Sequence, residues 1–132
     1  LITAINLNTG EHEWQVPLGK GPTDHPAIAH LKLGDLGSVF SDVVAEGGVL
    51  VTKSLVISYL AAKDEIGPEE TGSILVAFDK TNGTKAGEVY VDQRLHGPIM
   101  SYQHDEIQYI AVAGGGRDND AELLVFKLGN TP

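Results

Sequence analysis

The chain contains no cysteine, so it can form neither a disulfide nor a thiolate metal site, and sulfur chemistry says nothing of its compartment. Basic residues are scarce: 9 Lys and Arg stand against 18 Asp and Glu, a formal net charge of −9. A surface this acidic repels a phosphate backbone and an anionic bilayer, which argues against nucleic acid or a membrane surface as partner. No apolar run approaches the roughly 18 to 20 residues that a membrane-spanning helix needs. No stretch of ten or more residues keeps a helical period, so long amphipathic helices are not expected. A basic start and a leader cleavage pattern are both missing. The chain opens on Leu1, and its only methionine is Met100. The expectation is a processed product or a fragment of a longer protein.

What is present is turn-rich. With 16 Gly, 6 Pro and only short apolar segments in 132 residues, the composition points to an all-β fold. Two stretches nearly repeat one another. Ala4-Ile5-Asn6-Leu7-Asn8-Thr9-Gly10 reads against Ala77-Phe78-Asp79-Lys80-Thr81-Asn82-Gly83, and a half copy, Val125-Phe126-Lys127-Leu128-Gly129-Asn130, follows near the end. Each is an apolar strand running into a polar turn, the mark of a repeat architecture. Strands are expected over 2–7, 13–18, 49–52, 55–59, 73–79, 88–91, 98–102, 108–113 and 123–128. Trp14 and Val16 should share one face of their strand. Asn82-Gly83 is the strongest hairpin dipeptide, with both residues expected at positive φ in a type I′ turn. Gly34-Asp35-Leu36-Gly37 is a candidate cap for a helical turn in the long irregular stretch 19–46.

The spacing specifies the repeat. Ala77 and Val125 lie 48 residues apart, and Ala4 and Ala77 lie 73 apart. The surplus of about 25 residues matches the long loop, and propeller blades run about 40 to 50 residues. The chain therefore reads as a partial β-propeller of about two and a half four-stranded blades. Residues 1–18 form the end of one blade, 19–46 a long loop, 47–92 a complete blade, and 97–128 three strands of a last blade.

Four segments in order carry a family resemblance: Gly47-Gly48-Val49-Leu50-Val51-Thr52-Lys53, then Ala77 to Gly83, then Gly97-Pro98-Ile99-Met100-Ser101-Tyr102, then Gln108-Tyr109-Ile110-Ala111-Val112-Ala113-Gly114-Gly115-Gly116. Together they resemble the C-terminal end of the pyrroloquinoline quinone-dependent glucose and alcohol dehydrogenases, over nearly the whole chain. The resemblance implies an eight-bladed propeller in the periplasm, with the quinone near the axis, polarised by calcium. The small-molecule substrate, a sugar or an alcohol, would lose a hydride to the quinone. The catalytic aspartate and the calcium ligands are implied to lie upstream of residue 1, so no catalytic or metal residue is assigned within the chain, and the chain alone is not expected to be active. Any membrane attachment would come through upstream parts. Two segments are implied to wall the cofactor pocket: Glu46, Gly47 and Gly48 before one strand, and Gly115, Gly116 and Arg117 in the glycine-rich loop. Some members carry an aromatic immediately before the Gly-Gly pair, where this chain has Glu46. Gly87 stands where the first copy has Trp14.

Other features have plainer readings. Trp14 is expected to pack between blades. His25 and His30, with Asp24 and Asp35, lack a fixed metal-ligand spacing, and Asp118-Asn119-Asp120 is too short for a helix-loop-helix calcium loop. The acidic stretch 63–71 reads as an exposed loop. His96 and His104 are the remaining candidate bases, with no nucleophile placed beside either. The long loop, over Gly21 to Glu46, is a candidate determinant of substrate preference. The alternative to a dehydrogenase is a non-catalytic propeller that serves as a protein-binding scaffold, since such propellers share the strand-turn unit and need no cofactor.

Overall fold

The computed structural model describes residues 1–21, 23, 25–34, 36–37, 48–62, 71–115 and 120–127. Nine strands run through them: β1 (Ile2–Ile5), β2 (His12–Val16), β3 (Leu50–Val51), β4 (Leu55–Ala61), β5 (Ser73–Asp79), β6 (Lys85–Val91), β7 (Leu95–His104), β8 (Ile107–Gly114) and β9 (Glu122–Lys127). They form three antiparallel sheets in chain order: a two-stranded β1-β2, a four-stranded β3-β4-β5-β6 and a three-stranded β7-β8-β9. The fold is all-β, a partial β-propeller whose sheets stack face to face without closing.

The middle sheet is apolar on both faces because both are covered. Along β4 and β5, Val56, Leu60, Ile74, Val76 and Phe78 pack with Ile2, Leu18, Trp14 and Val16 of the first sheet's side. The alternate residues Ile57, Tyr59, Ala61 and Leu75 pack with Leu95, Ile99, Ile110 and Val112 of the third sheet. Successive strand residues point to opposite faces, so this near-continuous apolar run suits a sheet buried on two sides. Trp14 and Val16 do share a face, and it is the one turned to the middle sheet.

The sequence repeat is a structural repeat. In the β1–β2 turn, Asn6 N–H donates to the Glu11 carbonyl at 2.9 Å and Gly10 N–H to the Asn6 carbonyl at 2.7 Å. In the β5–β6 turn, Asp79 N–H donates to the Thr84 carbonyl at 2.7 Å and Gly83 N–H to the Asp79 carbonyl at 2.9 Å. The side-chain oxygens of Asn6 and Asp79 each accept from the backbone two residues on, at 2.9 and 2.7 Å. Register agrees: Ala4 pairs with Trp14, and Ala77 pairs with Gly87.

Trp14 joins the first two sheets through this turn. Its indole Nε1–H donates to the Lys80 carbonyl at 2.9 Å. Its ring lies against Gly83, where an added Cβ would stand 2.7 Å from the ring carbons. Among the described residues the second interface has no such indole clamp. Gly87 presents open space, and a groove of about 360 Å³ lined by Gly87, Val89, Ile110, Val125 and Phe126 lies there.

Some local expectations were displaced. Asn82 is not at positive φ; only Gly83 is, at 74°. The Asp79 and Asn82 side chains bond the turn backbone and hold a longer loop, so the two-residue type I′ turn expected there does not form. Asp105 and Glu106, the two residues between β7 and β8, both take positive φ instead, at 49° and 63°. The helical turn in the long loop is a 3-10 turn over Ala29–Leu31, earlier than the expected cap, and Lys32 ends it in the left-handed region at φ 49°. Asp35, part of that expected cap, lies outside the described residues, as does most of the acidic stretch after Ala62.

Two consequences are testable. The Cβ of Gly83→Ala meets the Trp14 ring at a positive φ, so this change should lower stability by about 2–3 kcal/mol, read by urea unfolding. The open edges of β1 and β9 leave apolar surface bare, including Leu1, Ile5, Leu7, Leu123 and Val125. The 132-residue chain expressed alone should therefore self-associate. A monomer by light scattering, with cooperative unfolding, would contradict that expectation.

Candidate functional site

The two glycine segments expected to wall a cofactor pocket are partly described. Glu46, Gly47, Gly116 and Arg117 lie outside the described residues. Gly48 and Gly115 lie within them.

Gly48 sits two residues before β3, in the left-handed region at φ 58°. An added Cβ would meet no heavy atom within 4 Å, so this backbone borders open space. Its carbonyl accepts from the Ser58 hydroxyl at 3.3 Å. Gly115 follows β8 at φ 143°. Its N–H donates to the Arg94 carbonyl at 3.0 Å, and its own carbonyl is 3.0 Å from His96 Nε2. A carbonyl only accepts, so Nε2 carries the hydrogen in this bond. A Cβ on Gly115 would come within 3.0 Å of the Ala121 Cα, so the loop closes tightly there.

Neighbouring polar contacts tie β7 to the middle sheet. The Ser73 hydroxyl accepts from Leu95 N–H at 2.9 Å. The Tyr59 hydroxyl donates to the Gly97 carbonyl at 2.9 Å. Tyr59 is fully buried, and Gly97 takes φ 72° within the irregularity that separates the His96–Ala113 and Met100–Ala111 pairs. Nothing in the residue types of Ser58, Tyr59 or Ser73 marks them in the sequence, because their partners lie far along the chain.

Residues 1–110 match the family described as glucose/ethanol/alcohol dehydrogenase, beta-propeller domain, the pyrroloquinoline quinone family. The chain belongs to this family. Comparison with curated proteins and with solved structures gave no match. Membership joins the three stacked sheets to a quinone-dependent dehydrogenase propeller.

Of the two described glycines in these segments, Gly48 offers an open backbone edge and Gly115 does not. Open space beside Gly48 lets a flat ring approach the backbone closely. A cavity of about 590 Å³ also touches Gly48 and lies between the first two sheets. Among its described lining residues only Lys80 is charged, and its ammonium already donates to the Thr52 carbonyl at 3.3 Å. That lining suits apolar packing better than a tricarboxylate. Among the described residues no group of three or more His, Asp and Glu gathers into a metal set. His25 Nδ1 accepts from Ala27 N–H at 3.2 Å, and His104 pairs with Asp105 at the exposed hairpin tip.

The glycines should respond differently to substitution. Gly48→Ala adds only the strain of positive φ and should cost about 1 kcal/mol. Gly115→Ala also forces the Ala121 backbone away, so its loss on urea unfolding should be the larger of the two.

Proposed function

We propose that this chain contributes the last blades and part of the cofactor-pocket wall of a dehydrogenase that oxidises a sugar or an alcohol. The observation that carries the reading is the family match over residues 1–110, combined with the open backbone at Gly48 and the tightly tied glycine loop at Gly115. Pyrroloquinoline quinone, when bound, would supply the acceptor for a hydride from the carbinol carbon, the hydroxyl proton going to a base. The base and the calcium ligands are assigned to parts of the protein other than these residues, as the family resemblance implies. This chain's own residues would bind and orient. Gly48 would admit close approach of a planar ring, Arg117 would meet a carboxylate of the quinone, and Glu46, Gly47, Gly115 and Gly116 would complete the two edges. The segment Gly21 to Glu46 is proposed to influence which substrate enters. A Cβ on Gly21 would stand 2.8 Å from the Leu36 Cβ, so the start of this segment lies against its middle. A periplasmic location follows from the same reading, because this class of quinoprotein works there.

The full-length protein supplied with pyrroloquinoline quinone and calcium should reduce a dye in the presence of glucose or a simple alcohol, and should do so only with the quinone added. Quinone binding without turnover would leave the pocket and remove the substrate assignment. Failure to bind the quinone would sink the dehydrogenase reading and favour a protein-binding scaffold.

A further inference from the structure

The repeat leaves a place at the second interface for a ring that the chain does not supply. Trp14 pairs with Ala4, and Gly87 pairs with Ala77, the same position in the other copy. Val16 and Val89 follow two residues later, each on the same face as the residue it follows. The opposing walls correspond as well. Trp14 and Val16 pack on the cluster of the middle sheet that holds Val56 and Phe78, which pair with each other. In the third sheet the matching pair is Ile110 and Phe126. A groove of about 360 Å³ lies at this second interface, lined by Gly87 and Val89 on one side and Ile110 and Phe126 on the other. A Cβ added to Gly87 would meet no heavy atom within 4 Å, and Val89 is left 50% exposed. Leu75 adds to the apolar lining, and Lys127 is the only charged residue among the described lining residues.

We propose that this groove is a ligand site for a planar, bicyclic aromatic molecule of indole size, which stands where the first copy of the repeat places the Trp14 indole. Neither the quinone nor the glycine segments enter into it. An apolar cavity left by a missing side chain stays dry and accepts a free ring that matches its walls. The groove is at the lower end of the roughly 300–1,000 Å³ that small-molecule sites occupy, so it suits one compact ring system. Its walls belong to two facing sheets, which favours a flat ligand. One face of the ring lies over Gly87, where no side chain stands, and the other turns to Ile110 and Phe126. Phe126 offers a ring-to-ring contact that an aliphatic ligand would not gain. The Lys127 ammonium adds an attraction to an electron-rich aromatic face.

The test titrates the full-length protein with indole by calorimetry and follows amide exchange over β6 and β9 with and without it. Indole should bind the wild type and slow exchange in both strands. Gly87→Trp supplies the ring from the chain itself, so it should weaken indole binding at least about tenfold and raise the unfolding midpoint. Val89→Phe fills the groove from an exposed position and should weaken binding in the same direction; if Gly87→Trp does not fold, this variant decides alone. Cyclohexanol, apolar but not flat, should bind far more weakly than indole. Indole binding that survives in the folded variants overturns the proposal, because the ring then sits elsewhere. A wild type that binds no indole, or binds it without protecting β6 and β9, overturns it too, as does equal binding of cyclohexanol. None of these outcomes depends on whether the protein binds the quinone.

Discussion

The structure depends on the burial of both faces of the middle sheet. β4 and β5 are apolar at nearly every position because one set of side chains meets the first sheet and the alternate set meets the third. An isolated four-stranded sheet with this pattern would expose one apolar face whichever side it covered. Stacking removes that conflict, and it is why neighbouring sheets are needed for this sequence to be stable. The same requirement leaves the outward faces bare. Met100 and Val125 share a face of the third sheet through their pairing with Ala111, and both are exposed.

Stacking also needs lateral registration, and the first interface has a device for it. Trp14 donates to the Lys80 carbonyl and lies on Gly83, so an indole from one sheet locks onto the turn of the next. Gly83 serves twice: it takes the positive φ that ends the turn, and its missing side chain makes room for the ring. At the second interface Gly87 replaces the indole, and the polar contacts from Ser73 and Tyr59 to β7 are what remain to register the third sheet. The two interfaces are thus held by different chemistry despite the repeat.

This difference matters for the candidate site. The glycine edges are backbone features, and backbone has no affinity or shape beyond what its surroundings impose. Gly48 faces open space, while Gly115 is tied through its N–H and its carbonyl. The family supplies the kind of ligand. The hydrogen bonds from Ser58 and His96 fix the carbonyls of Gly48 and Gly115 separately.

Much of the fold was legible in the sequence, because its signals are local. The strand-turn repeat and the alternation that put Trp14 and Val16 on one face follow from neighbours within a few residues, the 48-residue spacing of Ala77 and Val125 follows from the recurrence of that local unit, and each reappears in the structure. Turn type was less legible. Asn82-Gly83 has the composition of a type I′ turn, yet the Asp79 and Asn82 side chains bond the backbone and favour a longer loop, while Asp105 and Glu106 adopt the positive φ values without glycine. The candidate site was legible only as two glycine segments. That consecutive residues Ser58 and Tyr59 serve opposite sides of one sheet, and that His96 reaches Gly115, are decided by tertiary structure. These contacts join residues 10 to 38 positions apart. Periodicity specifies which face a residue takes, but only packing determines what stands across from it.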